Sequence, residues 1–418
     1  SDPTDGTEVL VTTTGDQTYD VALLLEDDAL LTSSAGDLTF SRFVDARTGV
    51  LAGLTATSTT GDNTFTQEVG SYVNPNQIGG NTAGLEYLYT DDLDGSGTAG
   101  GHSTTSAGTT YLNSNVQTQG GTQIYNDAVV VTSNITLNDT GTTGIYFNNT
   151  LDSDAAANAL DITVTNANAS IQFGGNGSGV LGTGDADTQA DRVGAVGEFS
   201  TLSVNNTANT TEQAIVINTD QVYTSSTQTW NGNLELGNDV TMSSAQPGTG
   251  AVGGGGSFSF TGIIDSDDDA ARDLTIISGT GPIIFGNGVG TDNVGGIDAL
   301  DYLIINRADN NDRPGLVMQS SNATITATGF YIEDAGNVSL SAQITTSGQL
   351  NGFGGSLTGN TNGVDINGET IGFFDPAPTG ATPRADIDTT GDGGVHIGNT
   401  GVLTIADGVD FTIDGNFL

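Results

Sequence analysis

Several residue types are missing from this chain or scarce in it. It contains no cysteine, and all seven of its basic residues are arginine, so lysine is absent. Without cysteine the chain cannot form a disulfide bond, a zinc–thiolate site, an iron–sulfur cluster or a thiol nucleophile. Its stability must therefore come from an apolar core, from backbone hydrogen bonds or from bound ions.

The scarcity of basic residues also restricts the partners that the chain can have. Against 7 basic side chains stand 50 acidic ones, and the formal net charge is -43. We therefore predict no nucleic-acid partner, and no docking on an anionic membrane through basic residues. Nor does the sequence contain an apolar run of 18 residues, so we predict no membrane insertion. The composition favours a prokaryotic protein of the cell surface or the extracellular space.

Apolar residues make up 35% of the chain, and they occur in short groups that alternate with polar residues. Examples are Leu38-Thr39-Phe40 and Phe258-Ser259-Phe260. This alternation predicts strands with one buried face, separated by the glycines and the Asn/Asp clusters that suit tight corners. Disorder is not expected, because a disordered chain of this charge would have far fewer apolar residues.

The same series of groups recurs at intervals of about 105 residues. Each series opens on a glutamine followed two residues later by an aromatic residue, at Gln17-Thr18-Tyr19, Gln123-Ile124-Tyr125 and Gln228-Thr229-Trp230. Insertions of variable length, as at 177–197, interrupt the series without changing its order. This pattern is typical of a solenoid.

We therefore predict an all-β chain folded as a right-handed parallel β-helix, with loop insertions rich in Gly and Asp. A string of β-sandwich domains is the alternative fold. The prediction divides the chain into three repeat cycles and a divergent continuation, at 1–121, 122–226, 227–321 and 322–418. The final residues stop inside a group with no polar cap, so we expect more chain or another subunit to cover that end.

The glutamine openings, the "Leu-Thr-Phe…Val-Asp" groups, and the segments 258–267 and 274–281 resemble repeats of filamentous haemagglutinin-like bacterial surface proteins and of autotransporter passengers. The resemblance covers roughly residues 16–310. It implies a right-handed parallel β-helix that is exported to the cell surface and has an adhesive or scaffolding function. Long Gly/Asp insertions distinguish this chain from those families.

Our leading functional hypothesis is a secreted structural or adhesive protein without enzymatic activity, forming a module of an extracellular fibre or surface layer. Its expected partners are copies of itself, glycans, and the surface of a host or neighbouring cell. Two alternatives remain at this stage. One is a polysaccharide-cleaving β-helix enzyme resembling pectate lyases, and the other is a viral tail fibre.

Aspartate-rich turns are the best candidate metal sites, because hard cations such as Ca²⁺ prefer oxygen ligands. The segment 91–97 offers Asp92 and Asp94 next to a turning glycine, although it lacks a distal bidentate acid. The segment 265–269 concentrates Asp265, Asp267, Asp268 and Asp269. No cofactor is required by the sequence, and calcium is the one ligand predicted. The simpler interpretation of either segment is a solvated acidic loop.

Catalytic signatures are few. His102 and His396 are far apart in sequence and are expected to be isolated surface residues. A pectate-lyase-like site could be placed only at Arg272, beside the acidic segment 265–269. The simpler interpretation is that Arg272 pairs with Asp273 or with that segment. Three acids at 386, 388 and 392 form a further cluster.

Overall fold

The computed structural model describes the following residues: 9–70, 84–90, 108–175, 192–194, 197–244, 255–267, 270–286, 299–305, 315–319, 324–341, 343–353, 357, 360–374, 386–391, 393–407, 409–413 and 415–417. The chain divides into two compact units. The N-terminal unit comprises Ser1–Thr210 with Ala214–Thr219, and the C-terminal unit comprises Thr211–Gln213 with Asp220–Leu418.

The N-terminal unit is built from short strands of two to six residues. They are β1 (Val9–Thr13), β2 (Gln17–Tyr19), β3 (Leu23–Leu25), β4 (Ala29–Ser33), β5 (Leu38–Phe40), β6 (Val44–Ala46), β7 (Leu54–Ser58), β8 (Asn63–Phe65), β9 (Leu88–Thr90), β10 (Thr109–Leu112), β11 (Val116–Thr118), β12 (Thr122–Tyr125), β13 (Ala128–Val131), β14 (Ile135–Asp139), β15 (Gly144–Phe147), β16 (Leu151–Ser153), β17 (Ala159–Val164), β18 (Ser170–Phe173), β19 (Arg192–Val193), β20 (Thr201–Asn205) and β21 (Ile215–Ile217).

These strands form three stacks in which every described pairing is parallel. The stacks are β1-β4-β7-β9-β12-β15-β18-β21, β2-β5-β8-β10-β13-β16-β19, and β3-β6 continued through Val69 to β11-β14-β17-β20. The chain visits the stacks in rotation, so each coil contributes one strand to each of the three. This is the predicted parallel β-helix, and the antiparallel pairing of a β-sandwich is excluded.

The C-terminal unit, taken by itself, also has parallel strand pairing, with longer strands near its end. Its strands are β22 (Gln221–Tyr223), β23 (Gln228–Asn231), β24 (Leu234–Leu236), β25 (Val240–Ser243), β26 (Phe258–Phe260), β27 (Ile264–Ser266), β28 (Leu274–Ile277), β29 (Ile283–Phe285), β30 (Leu300–Ile305), β31 (Leu316–Gln319), β32 (Ile325–Ile332), β33 (Asn337–Leu340), β34 (Ile344–Thr346), β35 (Asn362–Phe373), β36 (Ile387–Thr389), β37 (Gly394–Ile405) and β38 (Phe411–Ile413). Among the described residues, short 3-10 turns lie at Glu212–Ala214, where the chain passes between the units, and at Leu350–Phe353.

Two stacks run through most of this unit, namely β22-β25-β28-β30-β32-β34-β36-β38 and β23-β26-β29-β31-β33-β35-β37. A third stack begins with β24 and β27. The first part of β35 pairs with β32 and its second part with β33, so this long strand passes from one stack to another. Such a strand replaces the separate short strands of the earlier coils.

Inward side chains stack on their equivalents in adjacent coils and form the core of each unit. In the N-terminal unit, for example, Leu38, Leu54 and Leu88 are fully buried. Close coil spacing also explains part of the glycine content. Gly144 has φ +119°, and a Cβ atom there would lie 1.8 Å from the carbonyl oxygen of Ser170 on the next coil. Only glycine fits such an approach.

Candidate functional site

The glutamine–aromatic motif that opens each sequence cycle forms the same hydrogen-bond network in all three places. In each case the glutamine Nε2 donates to the carbonyl 15 residues later: Gln17 to Thr32, Gln123 to Asn138 and Gln228 to Ser243. The same amide contacts the hydroxyl of a threonine that precedes it, namely Thr13, Thr118 and Thr224. The motif is therefore a buried hydrogen-bonded corner that links consecutive coils, and we call it the corner device.

The aromatic residue of each motif begins a stack of three rings. Tyr19, Phe40 and Phe65 form the first stack, with ring centroids 5.3 and 4.8 Å apart. Tyr125, Phe147 and Phe173 form the second, at 5.2 and 5.6 Å. In the third, Trp230 is the register partner of Phe260, which stacks on Phe285 at 5.5 Å.

The first two aromatic stacks lie on different strand stacks of the N-terminal unit. The first occupies β2-β5-β8, and the second occupies β12-β15-β18. One sequence cycle therefore does not correspond to a whole number of coils. The repeat is real in local structure, while the cycle boundaries at 121, 226 and 321 remain predictions.

Aspartates at the coil corners act as hydrogen-bond acceptors between coils. The Oδ1 atom of Asp16 accepts from the backbone N–H of Asp37 at 3.1 Å. Asp37 accepts in the same way from Asp62 at 3.0 Å, and Asp62 from Thr109 at 3.0 Å. Each of these aspartates follows a glycine in the sequence. The recurring Gly-Asp dipeptide is therefore the sequence feature that could have indicated this column of aspartates. The number of acidic residues alone does not predict it.

A second column of acids lies in the C-terminal unit. Asp239 accepts from the N–H of Asp273, and Asp273 accepts from the N–H of Tyr302 at 3.1 Å. Partial burial, followed by repulsion from Asp239 and Asp301, raises the pKa of Asp273 to about 7. Some of the acidic side chains therefore serve as hydrogen-bond acceptors that connect one coil to the next.

The acidic segment 265–269 contains an ion pair at its described end. Arg272 donates from Nε to Oδ1 of Asp267 at 3.0 Å and from Nη2 to Oδ2 at 2.8 Å. Asp267 is buried, and its Oδ1 also accepts from the N–H of Ala270. Arg272 thus pairs with the acidic segment, which is the simpler of the two interpretations of this arginine. Asp265 lies buried on β27 and is the register partner of Glu235.

The other predicted calcium ligands, Asp92, Asp94, Asp268 and Asp269, lie outside the described residues. Within the described ranges, no group of three or more His, Asp or Glu side chains could hold a metal ion. In the cluster near residue 386, Asp386 accepts a hydrogen bond from the N–H of Asp410 at 2.8 Å. Calcium at the aspartate-rich turns remains a prediction.

His396 does not stand alone. Its Nδ1 lies 2.8 Å from Oδ1 of Asp365, its register partner on β35. That carboxylate is buried and also accepts from Asn360 and Asn367, each at 2.8 Å. A carboxylate can only accept, so neutral His396 must carry its proton on Nδ1. His102 lies outside the described residues.

A small apolar cluster lies in the same register row as this pair, because Tyr331, which packs against the cluster, is the register partner of both Ile304 and Asp365. Ile304 alternates along β30 with the core residues Leu303 and Ile305, yet it is also fully buried. It is covered by Leu350 and Leu357, which follow β34 and fold back over the strand.

Among the described residues, no helix is both long and apolar enough to span a membrane. Comparison of the chain with protein-family models, with curated proteins and with solved structures finds no match. The resemblance to filamentous haemagglutinin-like proteins therefore rests on the sequence motifs alone.

Proposed function

We propose that this chain is a non-enzymatic structural and adhesive module of the prokaryotic cell exterior, which associates with copies of itself into a fibre or surface layer. The observation that carries the proposal is the position of its exposed apolar side chains. Most of them lie on the first and last coils described, in the following set: Val9, Leu10, Val21, Leu24, Val402, Leu403, Ile405 and Phe417.

The backbone of these end coils supports the same proposal. Among the described strands, β1 pairs on one edge only, with β4. On its second edge β37 forms a bridge between Val395 and Phe417, while its segment 402–405 pairs only with β35. Free strand edges beside exposed apolar residues are sites at which a further parallel strand can add. The proposed contact joins the last coil of one copy to the first coil of the next, and it is therefore heterologous.

The proposal predicts that variants of either end coil stop assembly. We expect Leu10→Asn with Leu24→Asn at the first coil, or Val402→Asn with Leu403→Asn at the last, to keep the protein monomeric in sedimentation experiments. A mixture of the two variants should form dimers and nothing larger, because each retains one intact end. Leu51→Asn is the matched control, since Leu51 is 61% exposed but lies outside the end coils. Equal assembly of all variants would contradict the proposal.

The charge of the chain leads to a second prediction, on cations. Copies with a net charge of -43 repel one another, so lateral packing of fibres requires bridging or screening ions. We expect chelation of divalent cations to separate laterally packed fibres seen by electron microscopy, and Ca²⁺ to restore them. Na⁺ at matched ionic strength is the control. Fibre packing that ignores both chelation and salt would count against this role of the acids.

A further inference from the structure

Asp139 is a buried acid at a position where the other two sequence cycles have serine. Ser33, Asp139 and Ser244 each lie 16 residues after the glutamine of their motif. All three are buried, and Ser33 and Asp139 are the register partners of Thr13 and Thr118, the threonines that the glutamines contact. The internal repeat therefore supplies a reference for what this site normally holds.

A serine hydroxyl fits the site because it both donates and accepts. Ser33 donates from Oγ to the carbonyl of Gly15 at 3.0 Å and accepts from the N–H of Gly36 at 2.9 Å. The single hydroxyl proton of Ser244 likewise faces backbone carbonyls, those of Gly256 at 3.2 Å and Ser278 at 3.1 Å. An ionised carboxylate has no proton to donate, and therefore lacks half of this pattern.

The contacts of Asp139 show this mismatch directly. Its Oδ1 accepts from the hydroxyl of Thr118 at 2.7 Å and from the N–H of Gly141 at 3.0 Å. Its Oδ2 is buried and has no hydrogen-bond partner within the described part of the chain. An ionised carboxylate with an unsatisfied buried oxygen is unfavourable. Protonation would neutralise the group and restore the donor that serine provides.

We propose that Asp139 is a proton-binding site that makes the N-terminal unit more stable as the solution is acidified. The residue terminates a buried hydrogen-bonded chain that runs from the hydroxyl of Tyr125 through Gln123 and Thr118. Protonation of one carboxyl therefore acts on the corner device that joins consecutive coils. For a protein of the cell exterior, this device would tighten the coil in acidic surroundings.

The electrostatic surroundings agree with this geometry. Burial raises the pKa of Asp139 from its ordinary value of 3.8 to about 6, against the lowering effect of the Thr118 hydroxyl and of the nearby backbone amides of Gly141 and Gly144. The titratable neighbours are tyrosines: Tyr146, whose pKa burial and Asp139 together raise to about 12, and Tyr125 at the far end of the chain of hydrogen bonds. Both are neutral at pH values where Asp139 titrates.

The sign of the effect follows from these values. The folded state binds the proton more tightly than the unfolded state, so stability increases as the pH falls from above 6 to below 4. It is lost again as the pH rises through about 6. A pKa difference of about 2 corresponds to a change of about a hundred-fold in the unfolding equilibrium constant.

The test compares the full-length chain with Asp139→Ser in denaturant unfolding at pH 4 and pH 7, in high salt to screen surface charges. Hydrogen exchange of peptides covering β12 to β17 reports the local response. We expect Asp139→Ser to be more stable than the wild type at pH 7. Between pH 4 and pH 7 its unfolding equilibrium constant should lack the change of about a hundred-fold that Asp139 contributes in the wild type. Asp154→Ser, which removes an exposed acid of the same unit, should retain the wild-type pH dependence.

A substitution in the opposite direction, from serine to aspartate, gives an independent test. Ser33→Asp places a carboxyl at the equivalent buried site, and we expect it to add a pH dependence of the same sign. If Asp139→Ser does not fold, Asp139→Asn replaces it as the variant that cannot ionise. The proposal is overturned if the non-ionising variant keeps the full wild-type pH dependence, or if Ser33→Asp adds none.

Discussion

Replacement of Phe147 by alanine is expected to lower the free energy of unfolding by about 3–5 kcal/mol. Phe147 is almost fully buried and is the middle ring of the stack Tyr125–Phe147–Phe173, nearly parallel to both neighbours. Its removal leaves a cavity between two coils and breaks both ring contacts. Aromatic pairs contribute about 0.5–1.5 kcal/mol each beyond the area that they bury.

Denaturant unfolding followed by circular dichroism measures this loss. Phe147→Leu separates the two contributions, because leucine refills much of the volume but cannot stack. A double-mutant cycle with Phe173→Leu then measures the ring–ring coupling. Phe374→Ala is the control, since Phe374 is 40% exposed and should lose little stability. A loss below about 1 kcal/mol for Phe147→Ala would mean that the stack does not stabilise the coil.

The strands of this fold could be predicted from local sequence because alternation of apolar and polar residues is a local property. Leu38-Thr39-Phe40 and Phe258-Ser259-Phe260 are strands β5 and β26, with the buried, half-buried, buried pattern that alternation predicts. Parallel stacking followed from the repeat, since groups that recur in order with variable insertions suit a coil. What the repeat could not predict was the strand stack on which each group lies.

That assignment depends on the number of strands in each cycle, and hence on loops whose lengths vary. The motif at Gln17 lies on β2, whereas the motif at Gln123 lies on β12, in a different stack. The glutamine–aromatic motif is shared by both places, but the number of strands that precede it in the coil differs. Short-range sequence patterns therefore predict the hydrogen bonds within a corner. They do not predict on which of the three strand stacks that corner lies.

The candidate sites show the same division between local and distant information. Sequence indicated that Arg272 has acids nearby, but the choice of Asp267 over Asp273 depends on the direction of a turn. Asp139 was missed because a single aspartate among 50 acids gives no sign of burial. Its alignment with Ser33 and Ser244 was visible, and the repeat therefore contained the clue. The pairing of His396 with Asp365 depends on the register of two long strands.

Replacement of Arg272 by alanine is the second substitution with a large expected effect, a loss of about 3–5 kcal/mol in the free energy of unfolding. The side chain of Asp267 is fully buried, and its two carboxylate oxygens accept hydrogen bonds from Nε and Nη2 of Arg272. Without the guanidinium, a buried carboxylate loses its counter-charge. Arg272→Lys should recover only part of the loss, because an ammonium group cannot bind both carboxylate oxygens in the same geometry.

Arg47→Ala is the matched control for this substitution. Arg47 pairs with Glu26 at 2.6 Å, but both side chains are more than half exposed. Exposed pairs contribute about 0–1 kcal/mol, so little change is expected in the same denaturation experiment. The double variant Asp267→Asn with Arg272→Ala should be more stable than Arg272→Ala alone, because it removes the unpaired charge. Equal, small losses for Arg272→Ala and Arg47→Ala would contradict the role of the buried pair. Stabilisation of Arg272→Ala by Ca²⁺ would instead show that the freed acids of the segment 265–269 can hold the cation predicted from sequence.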